Sequence, residues 1–371
     1  MRFWILLMVG ISACSSEHRM EWGKVYFLPA GENNTPHIGL AGPMAGITGN
    51  RLVIAGGANF PIKMPWEGGT KAYPRQAYIY GIEDGGLRLI RQQTLETAVA
   101  YPGNCSAGGV WYVAGGENES GPVNTVMKIR QENDTLVTAL MPPLPVPLTN
   151  GSLVSASGKL YFVGGENRAF VSDKIYAYSK ASGWKEEYSL PYPVSHAVVV
   201  SDGKSKIYIA GGRKRNENAI STLYDAVLEA DLASGKVQQI ATLPEALAAG
   251  TGVWDEQGSI FLFGGDNGET FHRVEALIAG IGRIGDAEKK KELNEQKAQL
   301  QRSHPGFSKI CRKYNLKKKE WTHLLPLPGH SPVTTTALTY GDRVIIPSGE
   351  IRAGVRTNQI LTGKQVKTYE K

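Results

Sequence analysis

One short pattern recurs along this chain: an apolar strand that runs directly into a pair of glycines. The copies are Leu52 to Ala55 before Gly56-Gly57, Trp111 to Ala114 before Gly115-Gly116, Leu160 to Val163 before Gly164-Gly165, Ile207 to Ala210 before Gly211-Gly212, and Ile260 to Phe263 before Gly264-Gly265. Val344 to Pro347 before Ser348-Gly349 is a degenerate sixth. The first five doublets lie 59, 49, 47 and 53 residues apart, and the sixth follows after 84. Such a period marks one supersecondary unit repeated, in which no single unit buries its apolar face alone. The pattern also accounts for 44 glycines in 371 residues, since glycine lets the backbone turn where a Cβ would clash.

Each unit contains more than its doublet. A strand with tyrosines follows, at Tyr78 and Tyr80, Tyr176 and Tyr178, and Tyr314. A turn then leads to a strand opened by Trp184 or Trp321, and Leu190-Pro191, Leu243-Pro244 or Leu327-Pro328 links to the next unit. Four short strands per unit, repeated around an axis, make a propeller blade, and a period of about 50 is that of kelch repeats. The chain is therefore expected to be all-β, a six-bladed kelch-type β-propeller. The sixth unit runs out near Val366 after three strands, and Trp22 to Leu28 has the character of the missing outermost one. Pairing the two chain ends would leave no open edge. The long fifth interval implies a helical insertion at about 271–307, leaving blade five after its second strand. Within it, Ala287 to Gln301 lacks Gly and Pro and is rich in helix formers.

Neighbouring strands of a blade are antiparallel, so the residues after each doublet and the links between blades share one face. That face collects Asn59, Phe60 and the Pro65-Trp66-Glu67 loop, then Glu117, Glu166, Arg213, Arg215, Asp266 and Asn267, then Glu350, Arg352 and Arg356. The links add His37, Tyr101, Asn150, His196 and His330. Carboxylates, amides, guanidinium groups and a few aromatics converging in one place suit a polar small molecule such as a sugar.

The first 13 residues read as a lipoprotein signal peptide: Arg2, the apolar run Phe3 to Ile11, and the small pair Ser12-Ala13. The run is far shorter than the roughly 20 residues that span a bilayer. Ile11-Ser12-Ala13-Cys14 resembles a lipobox, which makes Cys14 the lipidation site, 14–21 a tether and 22–371 the propeller. The expectation is an exported protein, periplasmic or at the cell surface, whose lipid anchor is its one link to a bacterial membrane. Cys105 and Cys311 are far apart in sequence and read as small buried hydrophobes rather than a disulfide. No metal site is expected, because nothing has zinc-ligand spacing. Twelve Lys or Arg face five Asp or Glu between Arg283 and Glu320, which carries the whole net charge of +7. A run such as Lys289-Lys290-Lys291 without interleaved aromatics is a solvated helix face, so nucleic acid is not an expected partner.

Two segments are more specific than the repeat. The first is Gly39 to Ile47 running into Val53 to Pro61. The second is Ser348-Gly349-Glu350-Ile351-Arg352-Ala353-Gly354-Val355-Arg356-Thr357. Both resemble the sialic acid mutarotase family, the N-acetylneuraminate epimerases with a kelch propeller. The second is similar to that family's Asn-Gly-Glu-x-Lys-Pro-Gly-x-Arg-Thr motif. Ser348, Arg352 and Ala353 depart from it, replacing Asn, Lys and Pro. The insertion, opening at Gly264-Gly265-Asp266-Asn267 and returning through His304-Pro305, resembles the family's helical excursion. The order of segments is rotated along the chain, as in a cyclically permuted mutarotase branch.

The resemblance implies an isomerase with Glu350 as proton acceptor and Arg356 as its catalytic or substrate-binding partner. Further candidate substrate contacts are Arg352 on the same segment, Asn59 and Glu67 in the loop of the first family-like segment, and Arg213, Arg215 and Asn267, which the topology places on the shared face. Mutarotation opens a cyclic hemiketal and recloses it on the other face, so it needs a base and an acid but no cofactor. Arginine offers a planar fork for the carboxylate that sialic acid carries on its anomeric carbon. Two other readings compete. One is a non-catalytic kelch module that binds a glycan or a protein. The other is a copper oxidase on the same scaffold, which neither Cys105 nor Cys311 is placed to support.

Overall fold

The computed structural model describes residues 16–133 and 135–369. Among the described residues, five four-stranded and one five-stranded antiparallel sheets surround one axis, one for each of the six doublets. From the axis outward, blade I is Met44–Thr48, Arg51–Ala55, Gln76–Glu83 and Gly86–Thr94. Blade II is Gly103–Ala107, Val110–Ala114, Val126–Glu132 and Thr135–Met141. Blade III is Ser152–Ala156, Lys159–Val163, Lys174–Ser179 and Gly183–Ser189. Blade IV is Val198–Ser201, Lys206–Ala210, Ala226–Asp231 and Val237–Thr242. Blade V is Thr251–Asp255, Ser259–Phe263, Cys311–Asn315 and Glu320–Leu324. Blade VI is Leu338–Tyr340, Arg343–Pro347 and Gln359–Tyr369, completed by Ser16–Trp22.

The strands are apolar on both faces because each blade is packed on both sides. A separate core fills every gap between adjacent blades. Leu52, Ile54 and Tyr78 of blade I meet Leu338, Ile345 and Ile360 of blade VI, for example. Phe261 and Phe263 of blade V meet Val344, Ile346 and Leu361 of blade VI. This last core also contains Met20, which is fully buried.

Met20 corrects the expected boundary. The segment 14–21 was expected as a tether and Trp22 to Leu28 as the outer strand. Instead the outer strand begins at Ser16 and pairs through Trp22↔Gly363, and Tyr26–Phe27 adds a short second contact at Ile360 and Gln359. The cause is the length of Gln359–Tyr369, eleven residues, against five in Arg343–Pro347. Its far half needs a partner, and residues 16–20 supply it. The signal segment and Cys14 lie outside the described residues. Cys105 and Cys311 are free thiols in blades II and V.

The doublets do what the repeat implied. Gly56, Gly115, Gly164 and Gly211 have φ of 60–65°, and a Cβ on any of them would come within 2.6 Å of a carbonyl oxygen in the next inter-blade link. The next residue's amide then donates to that same carbonyl, as Gly116 does to Leu148 at 2.8 Å. In blade VI, Ser348 takes the first glycine's place with φ 53°. Its buried hydroxyl lies 2.8 Å from the Leu40 amide and 2.6 Å from the Thr357 carbonyl. That serine ties the first inter-blade link to the hairpin that follows Gly349.

The links form a ring about the axis. Gly42, Tyr101, Asn150, His196, Ala249 and Thr334 occupy equivalent positions, and all six have φ between 50° and 58°. Each amide donates to the carbonyl of the residue before it in the circle, at 2.7–3.0 Å, and Gly42 closes the circle onto Thr334. A cavity of about 780 Å³ runs along the innermost strands beneath the ring. The residue after each doublet sits on the other side, bridged to the link: Ala41↔Ala58, Ala100↔Glu117, Thr149↔Glu166, Ser195↔Arg213, Ala248↔Asp266 and Val333↔Glu350.

The insertion leaves blade V after its second strand, as expected, but it holds two helices. Helix α2 (Ala287–Arg302) is the expected one, capped by Asp286, whose side chain accepts from Lys289 N. Helix α1 (Glu269–Arg283) was not expected. Gly280 and Gly282 weaken its propensity, and its stability comes from docking on blade IV. There Glu275 accepts from the Ser221 amide and hydroxyl, both at 2.7 Å. Helix α2 reaches across blade VI to contact the Pro65–Glu67 turn of blade I. Among the described residues no helix is long and apolar enough to cross a membrane.

Candidate active site

Glu350 and Arg356 lie on a short hairpin, Glu350–Arg352 paired with Val355–Arg356, in which they are direct cross-strand partners. The six-residue spacing is thus a register: a tight turn with Gly354 at φ 76° puts both side chains on one face. Arg356 Nη2 lies 3.3 Å from Glu350 Oε2. Glu350 Oε1 accepts from the Gly354 amide at 3.0 Å. The hairpin is anchored at its base, where Glu350 and Val333 exchange backbone hydrogen bonds of 3.0 and 2.8 Å, next to Thr334 of the ring.

The two partners differ in access. The Arg356 side chain is 4% exposed and that of Glu350 is 20% exposed. Arg356 is fixed on three sides: its Nε donates to Ala58 O at 3.2 Å, its guanidinium lies 4.7 Å from the Phe60 ring centroid, and Nη2 faces Glu350. A stacked, bridged guanidinium of this kind orients its carboxylate, and lysine cannot replace it in kind. Asn59, next to Ala58, is buried, and its amide lies 3.3 Å from the Gly39 carbonyl.

Blades I and II add a second layer. Lys71 Nζ is 2.7 Å from Glu117 Oε1, and Tyr73 donates to the same oxygen at 2.8 Å. Lys71 also lies over the Tyr101 ring, 5.1 Å from its centroid. Burial raises the Tyr101 phenol; Arg356 opposes this, and the Glu350 and Glu117 carboxylates add to it. Tyr101 and Glu117 were placed on this face from the sequence. Lys71 and Tyr73 were not, because their loop has no counterpart in the other blades.

Across the mouth, Glu166 gathers its own partners. Arg213 Nη2 donates to Glu166 Oε1 at 2.9 Å and Asn150 Nδ2 at 3.4 Å, with His196 Nδ1 at 3.6 Å. Arg213 is steadied by Ser221 Oγ at 3.2 Å and by the Phe271 ring of α1 at 5.2 Å. Burial, then Arg213, holds the His196 imidazole well below its usual range.

The remaining expected contacts are distributed more widely. Arg352 shares the Glu350 hairpin, is partly exposed, and bears on His304, whose imidazole is lowered chiefly by burial. Glu67 accepts from its own loop at Met64 N, 3.0 Å. Arg215 donates to the Asn167 and Arg168 carbonyls at 2.9 Å. Asn267 donates to Glu245 at 3.0 Å and accepts from the first amide of α1. Glu67 thus serves its own loop, Arg215 ties blade IV to the loop after the blade III doublet, and Asn267 ties the start of α1 to the link at Glu245. His37 spends both ring nitrogens on Tyr78 and Gly39.

The model of the N-acetylneuraminate epimerase family matches residues 141–370. This chain belongs to the N-acetylneuraminate epimerase family. The match takes in blades III to V, the three C-terminal strands of blade VI, both helices and the Glu350–Arg356 hairpin, whereas Ser16–Trp22, Asn59, Lys71 and Tyr101 precede it. N-acetylneuraminate epimerase of Salmonella typhi is 24% identical over 222 residues, 59% of this chain and 57% of that protein. N-acetylneuraminate epimerase 1 of Escherichia coli O6:H1 is 24% identical over 241 residues, 62% of this chain and 61% of that protein. The chain thus spans about three fifths of the length of these relatives.

Proposed function

We propose that this protein is a sialic acid mutarotase, an isomerase that interconverts the anomers of N-acetylneuraminate by general acid–base catalysis. The observation that carries the reading is the 3.3 Å pair of Glu350 and Arg356, with the carboxylate partly exposed, on the hairpin bridged to the last inter-blade link. Glu350 is the base that takes the anomeric hydroxyl proton. It is held on two sides, by Arg356 and by the Gly354 amide, yet keeps access to solvent. Arg356 is too enclosed to grip the substrate broadly and acts by orienting Glu350. Arg352, on the same hairpin and partly exposed, is the guanidinium that takes the substrate carboxylate. Asn59 and Arg213 stand at opposite sides of the same mouth.

Relatives that carry the name N-acetylneuraminate epimerase support the substrate, and the partial overlap supports a rotated order of segments. A collinear match between circularly rearranged chains is confined to one stretch. The lipobox-like Cys14 supports an exported protein on a lipid anchor. Purified protein mixed with one anomer of N-acetylneuraminate, followed by proton NMR, tests the activity: it should shorten the approach to anomeric equilibrium. Metabolic labelling with a radioactive fatty acid tests the anchor; label should enter the wild type and not Cys14→Ser.

A further inference from the structure

The ring of six links singles out one side chain. Left-handed backbone costs an ordinary residue roughly 1–2 kcal/mol, and glycine or asparagine meets it most easily. Gly42 and Asn150 follow that rule. Tyr101, His196, Ala249 and Thr334 all break it, and Tyr101 does so with the largest side chain, at φ 54°. Strain of this kind persists where surrounding structure enforces it, and it clusters at functional sites. Tyr101 also feels the Glu350–Arg356 pair: burial raises its phenol, Arg356 opposes this, and Glu350 and Glu117 add to it.

We propose that Tyr101 is the proton donor of this site, delivering the phenolic proton to the ring oxygen of the sugar while Glu350 takes the proton of the anomeric hydroxyl. The assignment rests on the mutarotase reading above. In the opening direction the anomeric O–H proton passes to the Glu350 carboxylate. The bond between the anomeric carbon and the ring oxygen breaks, its electron pair goes to that oxygen, and the oxygen takes the phenolic proton. The open keto form rotates, and the hydroxyl adds to the other face of the carbonyl. It returns a proton to the phenolate, and Glu350 returns its own to the new anomeric oxygen. Nothing is gained or lost over the cycle.

The surroundings fit this role. Arg356 is the cation that steadies a transient phenolate, and the Lys71 ammonium covers the ring face, 5.1 Å from its centroid. Burial keeps the phenol protonated at neutral pH. His196, at an equivalent ring position, is held neutral and spends Nδ1 on Ser195 at 3.1 Å. It is therefore not a ready donor at neutral pH.

Tyr101→Phe keeps the aromatic ring against Gly42 and Lys71 and removes only the hydroxyl. Tyr101→Asn places at this position the residue type that Asn150 already supplies in the next blade. Both variants and the wild type are compared by NMR exchange of N-acetylneuraminate anomers, with thermal unfolding as the check on folding. Tyr101→Phe should lose about 100-fold or more in kcat, the usual yield of a general acid, with KM within about threefold. Tyr101→Asn should unfold cooperatively and be as inactive. A wild type that accelerates exchange beside a folded Tyr101→Phe or Tyr101→Asn protein with kcat within about threefold of it would overturn the assignment while leaving the mutarotase reading intact. A wild type without exchange activity would overturn both.

Discussion

Gly42 lies so close to Tyr101 that a Cβ added at 42 would fall 2.3 Å from Tyr101 Cδ1 and 2.5 Å from its amide nitrogen. The two are ring neighbours, and the Tyr101 amide donates to the Gly42 carbonyl at 2.7 Å. Gly42→Ala therefore adds a clash to a left-handed backbone, φ 55°, and should cost more than about 1 kcal/mol. Urea unfolding should show a lower midpoint with an unchanged slope. Activity should fall further than stability explains, because Tyr101 has to move.

Met20 joins the first described strand to the core between blades V and VI. Removing its side chain leaves a cavity bounded by Phe263 and Leu361, among others. Met20→Ala should cost about 2–5 kcal/mol, and a chain shortened to begin after residue 20 should fail to close the ring. Thermal unfolding of both proteins checks this; unchanged melting temperatures would mean that the outer strand contributes nothing to closure.

Glu166 is the shared acceptor of Arg213 and Asn150, with His196 at ion-pair distance. Glu166→Ala leaves a nearly enclosed Arg213 without its counter-charge, and loss of one partner of a buried pair costs about 3–5 kcal/mol. Glu166→Gln keeps an oxygen for these donors and should cost clearly less. Denaturant midpoints of the two variants provide the comparison, and equal losses would contradict the network described here.

Acid should weaken the fold through its buried histidines. Burial lowers His37, burial with Arg213 lowers His196 further, and burial with Arg352, opposed by Asp266, lowers His304. In the unfolded chain histidine titrates near 6.5. As pH falls through that value the unfolded state takes up protons that the folded state refuses, so stability drops, and above it these groups contribute no slope. Asp266, raised mainly by burial, works in the opposite sense at lower pH, just above its ordinary value of 3.8. The urea midpoint should be lower at pH 5.5 than at pH 7.5, and His196→Gln should narrow the difference.

The architecture was legible because it repeats. Six strand-and-doublet units fixed the blade number, and the 84-residue interval located the insertion. The Glu350 to Arg356 spacing was legible as a motif, and the hairpin register gives it a geometry. Other features were hidden for physical reasons. Residues 16–20 read as a polar tether because Ser16, Glu17, His18 and Arg19 are polar, and the buried Met20 is the single apolar residue in that stretch. Helix α1 contains two glycines and is held by contacts to Ser221 and Arg213 that no local propensity reports. The Lys71 and Tyr73 contacts to Glu117 span 46 and 44 residues and exist only once blades I and II are adjacent.

The chemistry of the Glu350 carboxylate is what the whole functional account depends on. Two-dimensional NMR exchange spectroscopy of N-acetylneuraminate at equilibrium reads it directly, comparing wild type with Glu350→Gln, which preserves shape and the contact to Gly354. Strong anomer cross-peaks with wild type, reduced by about two orders of magnitude or more in the folded variant, are the predicted result. Cross-peaks of equal strength in both, or none above buffer with wild type, would contradict it.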